Sequence, residues 1–142
     1  MTREEQIKEL IRLAYDAQTR SYCPYSHFAT GAALLTADGK IYQGCNIENA
    51  AYGPTNCAER TAFFKAVSEG ERKFVRIAVV GNYQGQTGDY CAPCGICRQV
   101  MTEFCNVDTF EVILARGPED YKVYLLKELI PQHFGPADLD QV

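Results

Sequence analysis

Thr55-Asn56-Cys57-Ala58-Glu59-Arg60, taken with Pro93-Cys94-Gly95-Ile96-Cys97-Arg98-Gln99, decides the reading of this 142-residue chain. The first segment offers a thiol and, two residues on, a carboxylate. The second offers two thiols in a C-x-x-C pair. Three thiols and one carboxylate meet the needs of a catalytic zinc: three protein ligands, a fourth position left for water, and an acid/base nearby. In mid-helix, Cys57 and Glu59 would point to opposite sides. They can share a site only off a helix end, and Pro54-Thr55-Asn56 reads as a helix start. Cys94 and Cys97, three apart, lie on one face of a first turn. Two helix N-termini aimed at one point would gather the three thiols and favour their thiolate forms, because the N-terminal dipole stabilises negative charge.

Each piece also has a plainer explanation. Asn56-x-x-Glu59 has the form of a capping box, and free cysteines are common in cores. A C-x-x-C can be a redox pair or half of a structural zinc site. Cys91-x-x-Cys94-x-x-Cys97 offers two overlapping pairs, which with Cys57 could make a closed four-thiolate site. Pro93 suits entry to a helix beginning at Cys94, which favours Cys94 and Cys97. Cys23, Cys45 and Cys105 have no partner at ligand spacing; Cys105 is expected in the core and the other two along loops.

Outward from these motifs the chain alternates. Thr2 to Arg20 reads as an amphipathic helix with Ile7, Leu10, Ile11, Ala14 and Ala17 inward and Thr2-Arg3-Glu4-Glu5 as a capping box. A loop at Ser21-Tyr22-Cys23-Pro24-Tyr25-Ser26 leads to a strand from Phe28 to Thr36, an Asp38-Gly39 turn and a return strand from Lys40 to Asn46. A polar loop from Gly44 to Pro54 follows, then a helix from Asn56 to Gly70 with Ala62, Phe63, Ala66 and Val67 as its apolar stripe. Phe74 to Gly81 reads as a buried strand, Asn82 to Tyr90 as a loop, and Cys94 to Asn106 as a third helix. Thr109 to Ala115 and Tyr121 to Leu126 are further strands, and Lys127 onward reads as a tail. This order implies one three-layer α/β/α domain over residues 1–142, around a mixed five-stranded sheet.

Composition agrees with a soluble globular protein: 46% hydrophobic and 23% charged residues. A net charge of −4 argues against a nucleic acid or an anionic membrane held by electrostatics. The charged N-terminus lacks the apolar core of a signal peptide, and no apolar run reaches membrane-spanning length. Seven cysteines without such a signal point to a reducing, cytoplasmic compartment and to metal rather than disulfides.

Asn46-Ile47-Glu48-Asn49-Ala50-Ala51-Tyr52, with the two cysteine motifs, closely resembles the small, homotetrameric, zinc-dependent cytidine deaminases. The likeness extends through Tyr22-Cys23-Pro24-Tyr25-Ser26-His27-Phe28 and the Pro131 to Gly135 tail, nearly the whole chain. It implies hydrolytic deamination of cytidine and 2′-deoxycytidine to uridine and 2′-deoxyuridine plus ammonia, a step of pyrimidine salvage. It also implies one Zn²⁺ per chain on Cys57, Cys94 and Cys97, activating a hydroxide, with Glu59 as proton shuttle. By the same resemblance, Asn46 and Glu48 would bond the ribose hydroxyls and Phe28 would stack on the base. Ala50 and Tyr52 would bound the pocket, Ala58 and the loop ending at Ala92 would contact the base edge, and Phe134 would close a neighbouring subunit's site in a homotetramer.

Three thiolates and Zn²⁺ sum to a net negative charge, which should weaken acidification of bound water. Arg60, beside the site, is placed to withdraw charge from the sulfurs, and the family likeness implies the same. Cys91 and Cys23 are thiols additional to the family pattern. Two rivals remain open at this point. One is a deaminase of a modified nucleoside or an RNA base, disfavoured by the acidic charge and by Glu48. The other is a structural zinc module with four sulfurs on the metal.

Overall fold

A computed structural model describes residues 1–139; the tail positions 140–142, and with them the end of the expected single domain, lie outside the described residues. The first helix, α1 (Arg3–Gln18), forms as its pattern demands. Ile7, Leu10, Ile11, Ala14 and Ala17 are all buried, and the Thr2–Glu5 capping box closes, with the Glu5 amide donating to Thr2 Oγ1 at 3.1 Å and the Thr2 amide to Glu5 Oε1 at 3.3 Å. Strands β1 (Phe28–Thr36) and β2 (Ile41–Cys45) make a hairpin whose turn places Gly39 at φ +92°, which glycine adopts without strain. Then come α2 (Ala58–Ser68), β3 (Phe74–Tyr83), α3 (Gly95–Phe104), β4 (Glu111–Ala115), β5 (Tyr121–Leu125) and a short α4 (Leu126–Leu129).

The sheet runs β2-β1-β3-β4-β5. Only β3 and β4 are parallel, as the α3 crossover between them requires; the other neighbours are antiparallel. Period-two alternation sorts the side chains. Ala32, Leu34, Ile77, Val79, Val112 and Leu114 face α2, α3 and α4, while Ala33, Leu35, Ala78, Val80, Ile113 and Ala115 face α1. The result is the expected three-layer α/β/α arrangement. Phe63 of α2 is fully buried and packs edge-on against Phe74 at 5.1 Å between ring centroids.

The topology also brings the two cysteine motifs together. Because β1 is antiparallel to both β2 and β3, those two strands run the same way. The chain therefore leaves β2 for α2 and β3 for α3 at one end of the sheet, and both helix N-termini converge there. Phe28, at the start of β1, pairs with Tyr83 and sits at that same end.

Several element ends shift by one or two residues from expectation, and three differences have a clear physical cause. Strand β3 continues to Tyr83 because Ala29 and Phe28 pair with Asn82 and Tyr83. The tail is not featureless: α4 follows β5 directly because Leu126 is fully buried, and Pro136–Leu139 form a 3-10 turn. Helix α2 begins at Ala58 with Cys57 as its N-cap, so Asn56 lies outside it. The Asn56 backbone is consumed by an isolated bridge to Ile47, with N–H···O bonds of 2.9 Å in both directions. A capping box at Asn56 and Glu59 is thereby precluded, since the Asn56 N–H that Glu59 would accept is already used.

Helix α2 lies hard against β2 at Gly44, where a Cβ would stand 2.3 Å from the Ala58 carbonyl oxygen and 2.6 Å from the Ala62 nitrogen. Both contacts are backbone and cannot rotate away. Gly44→Ala is therefore expected to cost about 1–3 kcal/mol or more in denaturant unfolding, as overpacking does. It should also lower zinc affinity by displacing the first turn that carries Cys57; unchanged stability and zinc binding would contradict this account of the packing.

Candidate metal centre and cleft

Cys57 and Cys94 are the N-caps of α2 and α3, and neither side chain caps its own helix. Both thiols are free to project off the helix ends, and Cys97, one turn into α3, joins them. Cys57 Sγ lies 3.7 Å from Cys94 Sγ, and Cys94 Sγ lies 3.5 Å from Cys97 Sγ. All three sulfurs fall within 4.8 Å of one another. Zinc–sulfur bonds of about 2.3 Å in a tetrahedron require sulfurs about 3.8 Å apart. The donor set and its spacing thus fit zinc, with the fourth vertex left to a non-protein ligand. Cys91 is not a member of the cluster, which removes the closed four-thiolate alternative. Its half-buried thiol is pushed up to about 11 by burial, so it stays protonated at neutral pH.

The thiols share charge unequally. Cys57 is held down to about 5, first by the hydrogen bond from Cys97 and then by the Arg60 guanidinium, whose Nη2 donates to Cys57 Sγ at 3.2 Å. Cys97 moves the opposite way, raised by that same bond to Cys57 and by burial. Cys97 is buried within the core while Cys94 is exposed, so the cluster has a dry side and an open one. Glu59 is 5% exposed. Burial pushes its carboxyl up to about 7; its own backbone N–H opposes the shift and the Cys57 thiolate adds to it.

Thr61, a residue that sequence reading passed over, fastens this turn. Its hydroxyl reaches the Cys45 carbonyl at 3.0 Å and the Cys57 carbonyl at 3.1 Å, joining the end of β2 to the start of α2. A threonine four residues after the N-cap was the available signal, because such hydroxyls back-bond to the i−4 carbonyl. Arg98 does the same for α3. Its Nε donates to the Pro93 carbonyl at 2.7 Å and its Nη1 to the Leu129 carbonyl at 2.5 Å.

Beside the cluster, Phe28 is half-buried and meets Tyr83 edge-on at 5.0 Å. Together with Gly81, Tyr90 and Cys91 these rings line a cleft of about 320 Å³. Asn46 is buried at 8% exposure. Its Nδ2 donates to the Phe28 carbonyl at 2.8 Å, and its Oδ1 accepts from the Thr30 amide at 3.0 Å and from the Ser21 hydroxyl. The amide nitrogen carries a second N–H besides the one given to Phe28. Glu48 and Tyr52, with Tyr25, Ser26 and Thr55, line a second cleft of about 320 Å³. Tyr52 stands at φ +60°, an uncommon conformation for a bulky residue, and is 72% exposed. Ala50 is exposed in the same turn and Ala58 is fully buried under the site, whereas Ala92 is exposed in the loop before Pro93. Phe134 is 58% exposed in the tail, its carbonyl accepting from Gln99 Nε2 at 2.8 Å. A larger cavity of about 720 Å³ lies away from the thiols, between the end of α3 and residues 133–138.

Arg60 is half-buried and donates to a sulfur, and its removal should leave the thiolate charge uncompensated. Arg60→Ala is expected to fold normally but to lose about 10–100-fold in zinc affinity or turnover. Competition with a zinc chelator measures this, and wild-type affinity together with wild-type turnover would sink the role.

Comparison with known proteins agrees with this geometry. A sequence model of the cytidine and deoxycytidylate deaminase zinc-binding region matches residues 4–113. The chain is 49% identical over 133 residues to a cytidine deaminase of Sporosarcina psychrophila, covering 94% of each chain. It is 50% identical over 131 residues to that of Halalkalibacterium halodurans, covering 92% of this chain and 96% of the relative. Among solved structures, a cytidine deaminase from Burkholderia pseudomallei superposes with a TM-score of 0.82 at 47% identity, over 94% of this chain and 100% of the other. One from Mycobacterium tuberculosis gives 0.75 at 32% identity, over 95% and 99%. The chain belongs to the cytidine and deoxycytidylate deaminase zinc-binding family.

Proposed function

We propose that this protein is a zinc-dependent hydrolase that converts cytidine and 2′-deoxycytidine to uridine and 2′-deoxyuridine with release of ammonia. The observation that carries the reading is the three-thiol cluster at zinc spacing with a buried carboxyl, Glu59, two residues from one ligand. The near-complete coverage of cytidine deaminases at up to 50% identity supports the same substrate class.

Cys57, Cys94 and Cys97 would hold the metal. Bound zinc supplies Lewis acidity and lowers the pKa of a coordinated water. Glu59 would take a proton from the attacking water, deliver one to ring N3, and carry a second to the departing amino nitrogen. A carboxyl buried next to thiolates suits this task, because its neutral and ionised forms are close in free energy. Phe28 would stack on the pyrimidine, and Asn46 and Glu48 would bond sugar hydroxyls. Ala50 and Tyr52 would bound the sugar side, while the backbone at Ala58 and the loop ending at Ala92 would meet the base edge.

A homotetramer is proposed as the working form, with Phe134 inserting into a neighbouring site; its large exposed aromatic ring supports this. The proposed compartment is the cytoplasm, in keeping with seven cysteines that are all free. No described helix is long and apolar enough to cross a membrane.

An ultraviolet absorbance assay on cytidine, 2′-deoxycytidine and single-stranded RNA tests the substrate class. Turnover of both nucleosides with none on RNA is expected. Turnover confined to RNA, or absent from both nucleosides, would overturn the reading.

A further inference from the structure

We infer that Ser26 is a positioning residue for substrate recognition: its hydroxyl locks the Glu48 carboxylate to the backbone of Phe28 and leaves Glu48 a single acceptor position for one sugar hydroxyl. The inference deepens the nucleoside reading and rests on it.

Glu48 Oε1 accepts from the Tyr25 amide at 3.0 Å and the Ser26 amide at 3.1 Å. Glu48 Oε2 accepts from the Ser26 hydroxyl at 2.5 Å. An ionised carboxylate offers about four acceptor positions and no donor. Three are filled and the fourth is on Oε2; Glu48 itself lines the cleft shared with Tyr25, Ser26, Tyr52 and Thr55. The direction of the Ser26 bond is also fixed. Ser26 Oγ accepts from the Phe28 amide at 3.0 Å, so its one proton is free to point only elsewhere, at Glu48.

The backbone is shaped for this contact. His27, between Ser26 and Phe28, stands at φ +59°, and its amide donates to the Cys23 carbonyl at 2.9 Å. A non-glycine residue in that region is uncommon and mildly strained, and such strain gathers at functional sites. Here it curls the chain so that the Ser26 hydroxyl meets the amide two residues on, a local side-chain turn. The same short segment therefore fixes the backbone of Phe28 and the orientation of Glu48. The Ser26 hydroxyl is also the leading cause holding the Glu48 carboxyl below its usual range, which keeps it a pure acceptor at neutral pH. A pure acceptor selects an O–H donor and repels a phosphate. The hydroxyl concerned is one that cytidine and 2′-deoxycytidine share.

The test compares zinc-loaded wild type, Ser26→Ala and Ser26→Thr on cytidine and on 2′,3′-dideoxycytidine. Ser26→Ala is expected to raise KM for cytidine about tenfold with a smaller change in kcat, the scale of one hydrogen bond to a charged group. KM for the dideoxy substrate should barely move, so the preference between the two narrows about tenfold, and Ser26→Thr should restore it. Because both substrates are read on one preparation, the ratio does not depend on how much of the variant folds. Equal losses on both substrates, or no change on either, would overturn the positioning role alone. A wild type inactive on cytidine would overturn the nucleoside reading, and this role with it.

Discussion

Glu59→Gln is expected to keep about one zinc per chain while losing at least the roughly 10²–10⁴-fold that a general acid/base supplies. The loss should approach the upper end, because the same carboxyl would serve several proton transfers. The substitution preserves shape and removes only the ionisable function. Glu59 is buried and lies beside the Cys97 thiol, which hydrogen-bonds its carboxyl, but the metal cluster comprises the three thiols alone. Neither should the fold suffer, since removing a carboxyl that burial disfavours costs little native stability. Zinc analysis with steady-state kinetics on cytidine checks both halves. Retained turnover would remove Glu59 from the chemistry; lost zinc would make it a ligand.

Cys97→Ala should fail in a different way. Cys97 is 1% exposed and packs in the cluster that includes Ala58, Ala62 and Met101, so it is a proposed ligand that also belongs to the core. Two thiols cannot hold zinc as three do, and binding to the native state is folding free energy. A metal present at about a thousandfold over its dissociation constant adds about 4 kcal/mol of stability. The wild type should therefore melt higher with zinc than with chelator, while Cys97→Ala melts at the same lowered temperature in both. A zinc-dependent melting shift that survives in Cys97→Ala would remove it from the ligand set.

The layered fold was readable in the sequence because its strands and α1 obey simple periods. Ile7, Leu10, Ile11, Ala14 and Ala17 follow the helical repeat, and the β3 and β4 residues alternate between the two faces. The clustering of the three thiols was readable because helix starts are written locally, near Pro54 and Pro93. What could not be read depends on contacts distant in sequence. The capping box at Asn56 fails because Ile47 takes its backbone. The standing of Cys91 was open until the turn before α3 placed its thiol outside the cluster. Helix α4 is too short for a periodic signal and exists because Leu126 is buried. Ser26 lay in a loop already quoted, but nothing local announces that its hydroxyl meets Glu48, 22 residues away.

The central claim is that a zinc held by Cys57, Cys94 and Cys97 makes this chain a cytidine deaminase. The most direct test measures cytidine turnover before chelation, after chelation and after zinc is restored, with zinc counted per chain at each stage. The predicted result is about one zinc per chain, loss of turnover with the metal, and recovery of both together. Turnover that persists once zinc is gone would contradict the account.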